Sequence, residues 1–216
     1  MTVSSETLLE MTPIMPIVEI VDVDAAMPLA EALKQGGIAI LEVVLRTPAS
    51  LEAISRIRKE VPDVVVGAGT VTTLDIFHAA VDAGSEFIVT PGLTPVIAQA
   101  GVDSPLPVLP GISCATDIML GQEYGYHAFK FFPAEASGGV TALRALAGPF
   151  SNIIFCPTGG IGSHNFEEYL RLPNVACIGG SWLTHRDLQE RGDWQSVTQR
   201  TQDALAAARA ALQKGR

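Results

Sequence analysis

The chain of 216 residues is long enough for one α/β domain, and with 48% hydrophobic and 17% charged residues it can build a large core. Its net charge of -9 argues against nucleic acid or an anionic membrane as a partner, because phosphate groups of such partners are bound by basic patches. A small anionic substrate is not excluded, because it needs only a few local donors.

The first residues, MTVSSETLLEM, predict a short N-terminal helix, with Thr7 and Glu10 at the spacing of a capping box. They lack the basic start and long apolar core of a signal peptide, and no later stretch is long and apolar enough to span a membrane. The three cysteines, Cys114, Cys156 and Cys177, are scattered and have no paired spacing, which argues against a disulfide framework or a structural zinc site. We therefore expect a protein of the reducing cytoplasm.

Eight short runs rich in β-branched residues follow along the chain and predict strands. They span 13–20, 38–45, 64–69, 87–90, 107–111, 128–133, 152–157 and 175–180. Helical patterns fill the gaps, several of them ending in glycine, and the amphipathic stretch SVTQRTQDALAAARAAL predicts a last helix. Helices that alternate with continuous apolar strands are typical of a parallel sheet covered by helices.

Eight such units predict an α/β protein with a single-domain (β/α)8 TIM barrel over residues 1–216, including the short N-terminal helix. The alternative is an open doubly wound sheet, which binds ligands where its strand order reverses. No linker, low-complexity segment or charge run indicates a second domain. In a barrel the functional groups lie at the carboxyl ends of the strands, so the candidate site residues are expected there.

A lysine lies in the middle of the sixth apolar run, HAFKFFPAE. Alternation places Lys130 and Phe132 on one face of the strand, and Phe129 and Phe131 on the other, where they could pack outward on helices. Lys130 would then face the barrel interior; the alternative is a lysine whose amine extends to solvent at a strand end. A dry barrel mouth disfavours the charged form of an amine, and a neutral lysine attacks carbonyl groups to form a Schiff base.

The second run, LEVVLRT, places Glu42 and Arg46 on one face by parity. Glu42 is either a counter-ion for Lys130 or Arg46 or a general acid and base, and the two roles are compatible. Arg46 either pairs with surface acids or holds a substrate carboxylate in bidentate fashion. Thr70 ends the GAGT of the third run, where an ordinary turn hydroxyl is the simplest interpretation; Thr72 replaces the third glycine of a dinucleotide fingerprint.

Glycine pairs end the seventh and eighth runs, in TGGI (158–161) and GGS (179–181). Barrels often bind phosphate through exposed backbone N–H groups of these two loops. The alternative is that the glycines only form tight turns, but their joint placement favours phosphate binding. The four histidines show no HxH or HxxxH spacing and no carboxylate-rich set accompanies them, so we expect neither a catalytic metal nor another cofactor.

These motifs resemble those of the class I 2-keto-3-deoxy-6-phosphogluconate (KDPG) aldolases, a family that includes 4-hydroxy-2-oxoglutarate aldolase activity. The similar segments occur in the family's order over most of the chain: LEVVLRT, VGAGTV, TPGL, PGIS, FKFFPAE, AGPF, FCPTGGI and CIGGSWL. The resemblance implies a homotrimer of barrels. It also implies Lys130 as the Schiff-base lysine, Glu42 as the proton shuttle, and Arg46 and Thr70 as binders of the pyruvyl carboxylate.

Further roles implied by the resemblance concern substrate binding. Phe132 forms a wall against the pyruvyl carbons, and Pro91 of TPGL is a further substrate contact. The phosphate cradle consists of Gly159, Gly160, Gly180 and Ser181.

The resemblance implies a substrate class, a 2-oxo acid phosphate, which is cleaved to pyruvate and an aldehyde. The segments FKFFPAE and CPTGGI favour the gluconate-type enzyme over its galactonate-type relatives, which remain an alternative. Two further alternatives are a phosphate-binding barrel of another kind, such as an isomerase or synthase, and a non-catalytic barrel that binds sugar phosphates.

Overall fold

The computed structural model describes residues 4–215, so that the first three residues and the last residue of the predicted domain lie outside the described residues. The strands are β1 (Ile14–Val18), β2 (Ile40–Val44), β3 (Val65–Gly69), β4 (Ile88–Val89), β5 in two segments (Val108–Leu109 and Gly111–Ile112), β6 (Ala128–Phe131), β7 (Ile154–Pro157) and β8 (Ile178–Gly180). They run parallel and alternate with helices along the chain.

The helices are α1 (Ser5–Glu10), α2 (Ala26–Gln35), α3 (Ser50–Glu60), α4 (Leu74–Asp82), α5 (Pro95–Asp103), α6 (Ala115–Glu123), α7 (Gly139–Leu146), α8 (Phe166–Leu170), α9 (Arg186–Arg191) and α10 (Trp194–Gly215). Two short 3-10 helices, Val23–Ala25 and Trp182–Thr184, lie in the loops after β1 and β8. No helix within residues 4–215 is both long enough and apolar enough to cross a membrane.

The strands close into a barrel. Strands β1 to β5 pair in sequence order, and the second segment of β5 pairs with β6, which pairs with β7. Bridges from Phe155 to Val175 and from Thr158 to Gly179 connect β7 to β8, and β8 pairs with β1. The predicted α/β barrel is therefore confirmed, and the open doubly wound alternative is wrong because its first and last strands would have free edges.

Pro110 divides the fifth strand because proline has no N–H to donate to a ladder. Its carbonyl still accepts a hydrogen bond from the backbone N–H of Lys130 at 2.9 Å, which keeps β5 beside β6. The predicted strands are generally longer than the observed ladders, since the apolar runs continue into buried loop positions such as Phe87 and Val175. The hydrophobic pattern therefore indicates which residues are buried, but it does not indicate where the hydrogen-bonded pairing of a strand ends.

The N-terminal helix is present, but the predicted capping pair is wrong. Ser4 is the N-cap of α1, and its hydroxyl accepts a hydrogen bond from the backbone N–H of Thr7. Thr7 lies inside the helix because the serine three residues earlier supplies the same capping chemistry.

The faces of β6 are as the alternation predicts. Phe129 and Phe131 are buried in the core outside the barrel wall. A Cβ on Gly121 of α6 would lie 2.3 Å from the Phe129 ring, which shows how closely this helix packs on the strand. With the phenylalanines facing the helices, Lys130 faces the barrel interior.

Candidate active site

Lys130 of β6 and Glu42 of β2 meet inside the barrel. The Nζ of Lys130 donates to the carboxylate of Glu42, at 2.9 Å from Oε1 and 3.3 Å from Oε2. The two side chains are only 7% and 2% exposed. The interpretation of Lys130 as a lysine extended to solvent is therefore wrong, and each buried charge has the other as its partner.

The glycines of β3 leave space for this pair. A Cβ on Gly69 would lie 2.0 Å from Oε1 of Glu42, so a side chain at this position would displace the carboxylate. A Cβ on Gly67 would lie 2.3 Å from the ring of Phe87. Gly67 and Gly69 therefore allow close packing of Phe87 and Glu42 against β3. This role agrees with the sequence, in which Thr72 stands where a dinucleotide-binding motif would have its third glycine.

Thr70 follows β3 in a conformation that threonine rarely adopts. Within residues 4–215 it is the one residue other than glycine with a positive φ, 64°. Such a conformation is unfavourable for a β-branched residue and persists only where its surroundings hold it, as they often do at functional sites. Thr70 is half-buried at the carboxyl end of β3.

Arg46 lies at the same end of the barrel, just after β2, and is exposed. Among residues 4–215, no carboxylate lies within ion-pair distance of its guanidinium, so the pairing with surface acids considered above is not observed. A guanidinium in this position is available to an anionic group of a ligand.

Phe132 lies beside the lysine, and Pro91 lies at the carboxyl end of β4. Nζ of Lys130 is 5.6 Å from the centroid of the Phe132 ring, within the range of a cation–π contact. Pro91 follows β4 and packs on Gly111, where a Cβ would lie 2.4 Å from the Pro91 carbonyl carbon. Gly111 of β5 is in turn the register partner of Lys130 of β6, so β5 lies between Pro91 and the lysine.

The glycine turns after β7 and β8 are adjacent through the bridge between Thr158 and Gly179. Gly159 and Gly160 have φ values of 101° and 78°, which turn the backbone sharply. Neither Gly160 nor Ser181 donates its backbone N–H to another residue in the range 4–215. Free N–H groups on two adjacent turns offer donors to an anion bound between them.

Two of these glycines also have packing roles that the sequence did not reveal. A Cβ on Gly180 would lie 1.7 Å from the ring of Trp182, and a Cβ on Gly160 would lie 2.5 Å from Cγ of Glu135. Substitution of either glycine would therefore disturb a neighbouring side chain whether or not a ligand binds.

Cys156 and Cys177 are neighbours, although the sequence presents them as scattered. Cys177 donates its thiol hydrogen to the sulfur of Cys156 across 3.3 Å, and both residues are buried. This hydrogen bond, followed by burial and the nearby Glu42 carboxylate, raises the pKa of Cys177 well above its ordinary value. Cys156 is also the register partner of Lys130. The register of β7 with β8 brings the two thiols together, and the sequence does not supply it.

A closed parallel barrel that holds a buried lysine against a carboxylate has the two groups that Schiff-base chemistry requires, an amine and a proton acceptor. Residues 5–200 match the family model described as "KDPG and KHG aldolase". The chain belongs to this family.

Similar proteins extend over nearly the whole chain. A protein of Escherichia coli (strain K12) named "KHG/KDPG aldolase" is 46% identical over 206 residues, covering 95% of this chain and 97% of its own length. A "2-dehydro-3-deoxy-phosphogluconate aldolase" of Pseudoalteromonas atlantica (strain T6c / ATCC BAA-1087) is 49% identical over 206 residues, covering 95% and 96%. The crystal structure of a KDPG aldolase of Legionella pneumophila, with pyruvate captured as a covalent carbinolamine, has a TM-score of 0.91 and 44% identity, and covers 93% of this chain and 97% of that one.

Proposed function

We propose that the protein is a class I aldolase, a carbon–carbon lyase that cleaves KDPG to pyruvate and glyceraldehyde 3-phosphate. We propose that it also cleaves 4-hydroxy-2-oxoglutarate to pyruvate and glyoxylate, since one of the similar proteins carries both substrates in its name. The observation that supports the proposal most is the buried contact of 2.9 Å between Lys130 and Glu42 in a chain of this family.

Arg46 and Thr70 bind the carboxylate of the substrate's pyruvyl half at the barrel mouth. Phe132 and Pro91 form the apolar wall beside its carbons. The phosphate of KDPG lies against the turns that contain Gly159, Gly160, Gly180 and Ser181, where backbone N–H groups and a serine hydroxyl are its donors.

The covalent step begins with Lys130 and Glu42. Glu42 accepts a proton from the amine of Lys130, and the neutral amine attacks the C2 ketone to give a carbinolamine. Glu42 then donates a proton to the departing hydroxyl group, and loss of water gives a protonated imine. The apolar surroundings suit this sequence because a proton moves between two groups 2.9 Å apart without bulk water.

The protonated imine withdraws electrons from the bond between C3 and C4. Glu42, directly or through a water molecule, removes the proton of the C4 hydroxyl, and the C3–C4 bond breaks to release the aldehyde. The remaining enamine takes a proton at C3, and hydrolysis of the imine releases pyruvate and regenerates Lys130. Because the imine is the electron sink, the proposed reaction requires no metal.

Pyruvate release from three substrates tests this proposal. We expect rapid release from KDPG, slower release from 4-hydroxy-2-oxoglutarate, and little from 2-keto-3-deoxy-6-phosphogalactonate, which differs in configuration at C4. A preference for the galactonate substrate would support the galactonate-type alternative. No pyruvate from any of the three would support a non-catalytic sugar-phosphate-binding barrel or a phosphate-binding enzyme of another kind.

We further propose that the protein acts in the cytoplasm, in the Entner–Doudoroff pathway, and that it assembles as a homotrimer. The resemblance to the aldolase family supports the pathway and the homotrimer, and the scattered cysteines without paired spacing support the cytoplasm. Light scattering coupled to size-exclusion chromatography measures the assembly directly, and a monomeric mass would contradict the trimer.

A further inference from the structure

The turn that forms half of the proposed phosphate cradle is supported from outside by Glu135, in the loop after β6. The backbone N–H of Glu135 donates to the carbonyl of Gly159 at 3.1 Å. Its side-chain stem lies directly against Gly160, where a Cβ would be 2.5 Å from Cγ and 2.7 Å from Cβ of Glu135. The conformation of this one side chain therefore affects the position of the turn.

Tyr169 of α8 fixes that conformation. Tyr169 is 1% exposed, and its hydroxyl donates a hydrogen bond to Oε1 of Glu135. Burial, followed by this hydrogen bond, raises the pKa of Tyr169 above its ordinary value, so the tyrosine remains a donor. Gly139 at the start of α7 packs against the same contact, where a Cβ would lie 3.0 Å from the Tyr169 hydroxyl.

The charge of Glu135 makes this contact unusual. A carboxylate beside an anion-binding turn repels a phosphate dianion, and like charges at close distance weaken binding. In the range 4–215, no lysine or arginine lies within ion-pair distance of Glu135. The hydrogen bond from Tyr169 is the observed contact that holds the carboxylate on the α8 side of the turn.

We propose that Glu135 and Tyr169 are a pair of positioning residues that determine the affinity for the phosphorylated substrate. Tyr169 holds Glu135 so that its stem supports the Gly159–Gly160 turn while its carboxylate stays away from the phosphate. This inference rests on the proposed function, because it takes the phosphate of KDPG as the ligand of the turn. Glu135 and Tyr169 take no part in cleavage of the C3–C4 bond, which occurs in the substrate bound to Lys130.

Steady-state kinetics of Tyr169→Phe, Glu135→Gln and the double variant test the pair with KDPG and 4-hydroxy-2-oxoglutarate as substrates. We expect Tyr169→Phe to raise KM for KDPG about ten-fold with little change in kcat, because the freed carboxylate turns toward the phosphate. The constants for 4-hydroxy-2-oxoglutarate should change less than about two-fold, since this substrate has no phosphate. In the double variant, the neutral amide no longer repels the phosphate, so KM for KDPG should fall back toward the value for Glu135→Gln.

Tyr126→Phe is the matched control. The Tyr126 hydroxyl is also partly buried and donates to a backbone carbonyl, that of Ala98 at 3.0 Å, but it contacts α5 and not the cradle. It controls for the loss of a buried tyrosine hydrogen bond and should leave the ratio of the two KM values unchanged.

Two results would overturn the inference. One is an equal rise in KM for both substrates in Tyr169→Phe. The other is a double variant whose KM for KDPG is as high as that of Tyr169→Phe alone. Either result would mean that the pair only stabilises the fold. The parent enzyme distinguishes this failure from a failure of the proposed function, because a parent that cleaves neither substrate would contradict the proposed function itself.

Discussion

Glu42 reaches Lys130 because the neighbouring strand has no side chain in its path. Glu42 pairs in register with Gly67, and its carboxylate lies over Gly69, the last residue of β3. Residues of three strands, β2, β3 and β6, therefore determine how Lys130 and Glu42 meet. The position of the Glu42 carboxylate depends on the absence of a side chain at Gly69.

We predict that Gly69→Ala lowers kcat about 10- to 100-fold, because the new Cβ would displace the carboxylate from the amine. Gly148→Ala is the matched control, since a Cβ there would lie 3.6 Å from the carbonyl oxygen of Ala145, which is an ordinary van der Waals contact. The measurement is kcat for KDPG, with thermal unfolding of both variants. Equal activity of the two variants would show that the position of Glu42 is not critical.

Glu42→Gln tests the proton transfer itself. The amide keeps the size of the side chain and can still accept a hydrogen bond from Lys130, but it cannot carry a proton. We predict that turnover falls about 100- to 10,000-fold while substrate affinity changes far less. The measurement is the rate of KDPG cleavage in single-turnover kinetics. A rate close to that of the parent would show that Glu42 is only a counter-ion.

At the scale of elements, the loops after β7 and β8 carry the phosphate specificity in our account. A phosphate held by backbone N–H groups must approach the backbone closely, so a Cβ on Gly160 or Gly180 would obstruct it. The structure places Glu135 and Trp182 where these Cβ atoms would lie, so variants of the two glycines would change packing as well as binding. Ser181 is exposed at the edge of the turn and is the better position for a test.

We predict that Ser181→Leu lowers kcat/KM for KDPG about ten-fold or more, because leucine removes a hydroxyl donor and covers the neighbouring N–H groups. The value for 4-hydroxy-2-oxoglutarate should stay close to that of the parent, since the pyruvyl half is bound elsewhere. A parallel fall for both substrates would contradict the assignment of these loops to the phosphate.

The different burial of the three cysteines predicts that their thiols differ in reactivity. Cys114 is exposed at the N-terminus of α6, whereas Cys156 and Cys177 are buried in contact with each other. We predict that iodoacetamide modifies Cys114 rapidly and the buried pair only on unfolding, because burial and the raised pKa of Cys177 keep that thiol protonated at neutral pH. Peptide mass spectrometry over time measures the order. Fast modification of Cys177 in the folded protein would contradict the packing of β7 against β8.

At the scale of the whole molecule, the repeating pattern of strand and helix was sufficient to predict a closed parallel barrel. Parity predicted that Lys130 lies opposite Phe129 and Phe131, because a period of two is a local property, but the contact with Glu42 was needed to exclude a lysine extended to solvent. The contacts of Cys156 with Cys177 and of Glu135 with Tyr169 were not predictable. They depend on the register between strands and on loop conformations, which no local pattern contains.

The central claim, a covalent bond between Lys130 and the substrate ketone, is tested most directly by trapping. The protein is incubated with pyruvate, reduced with borohydride, and mapped by peptide mass spectrometry. Lys130→Met alone would leave Glu42 as a buried charge without its partner, so the control is Lys130→Met combined with Glu42→Gln, in which both charges are absent. We predict an adduct on Lys130 in the parent protein and none in the folded control. An adduct on Lys34, Lys59 or Lys214 in place of Lys130, or no adduct at all, would contradict the Schiff-base mechanism.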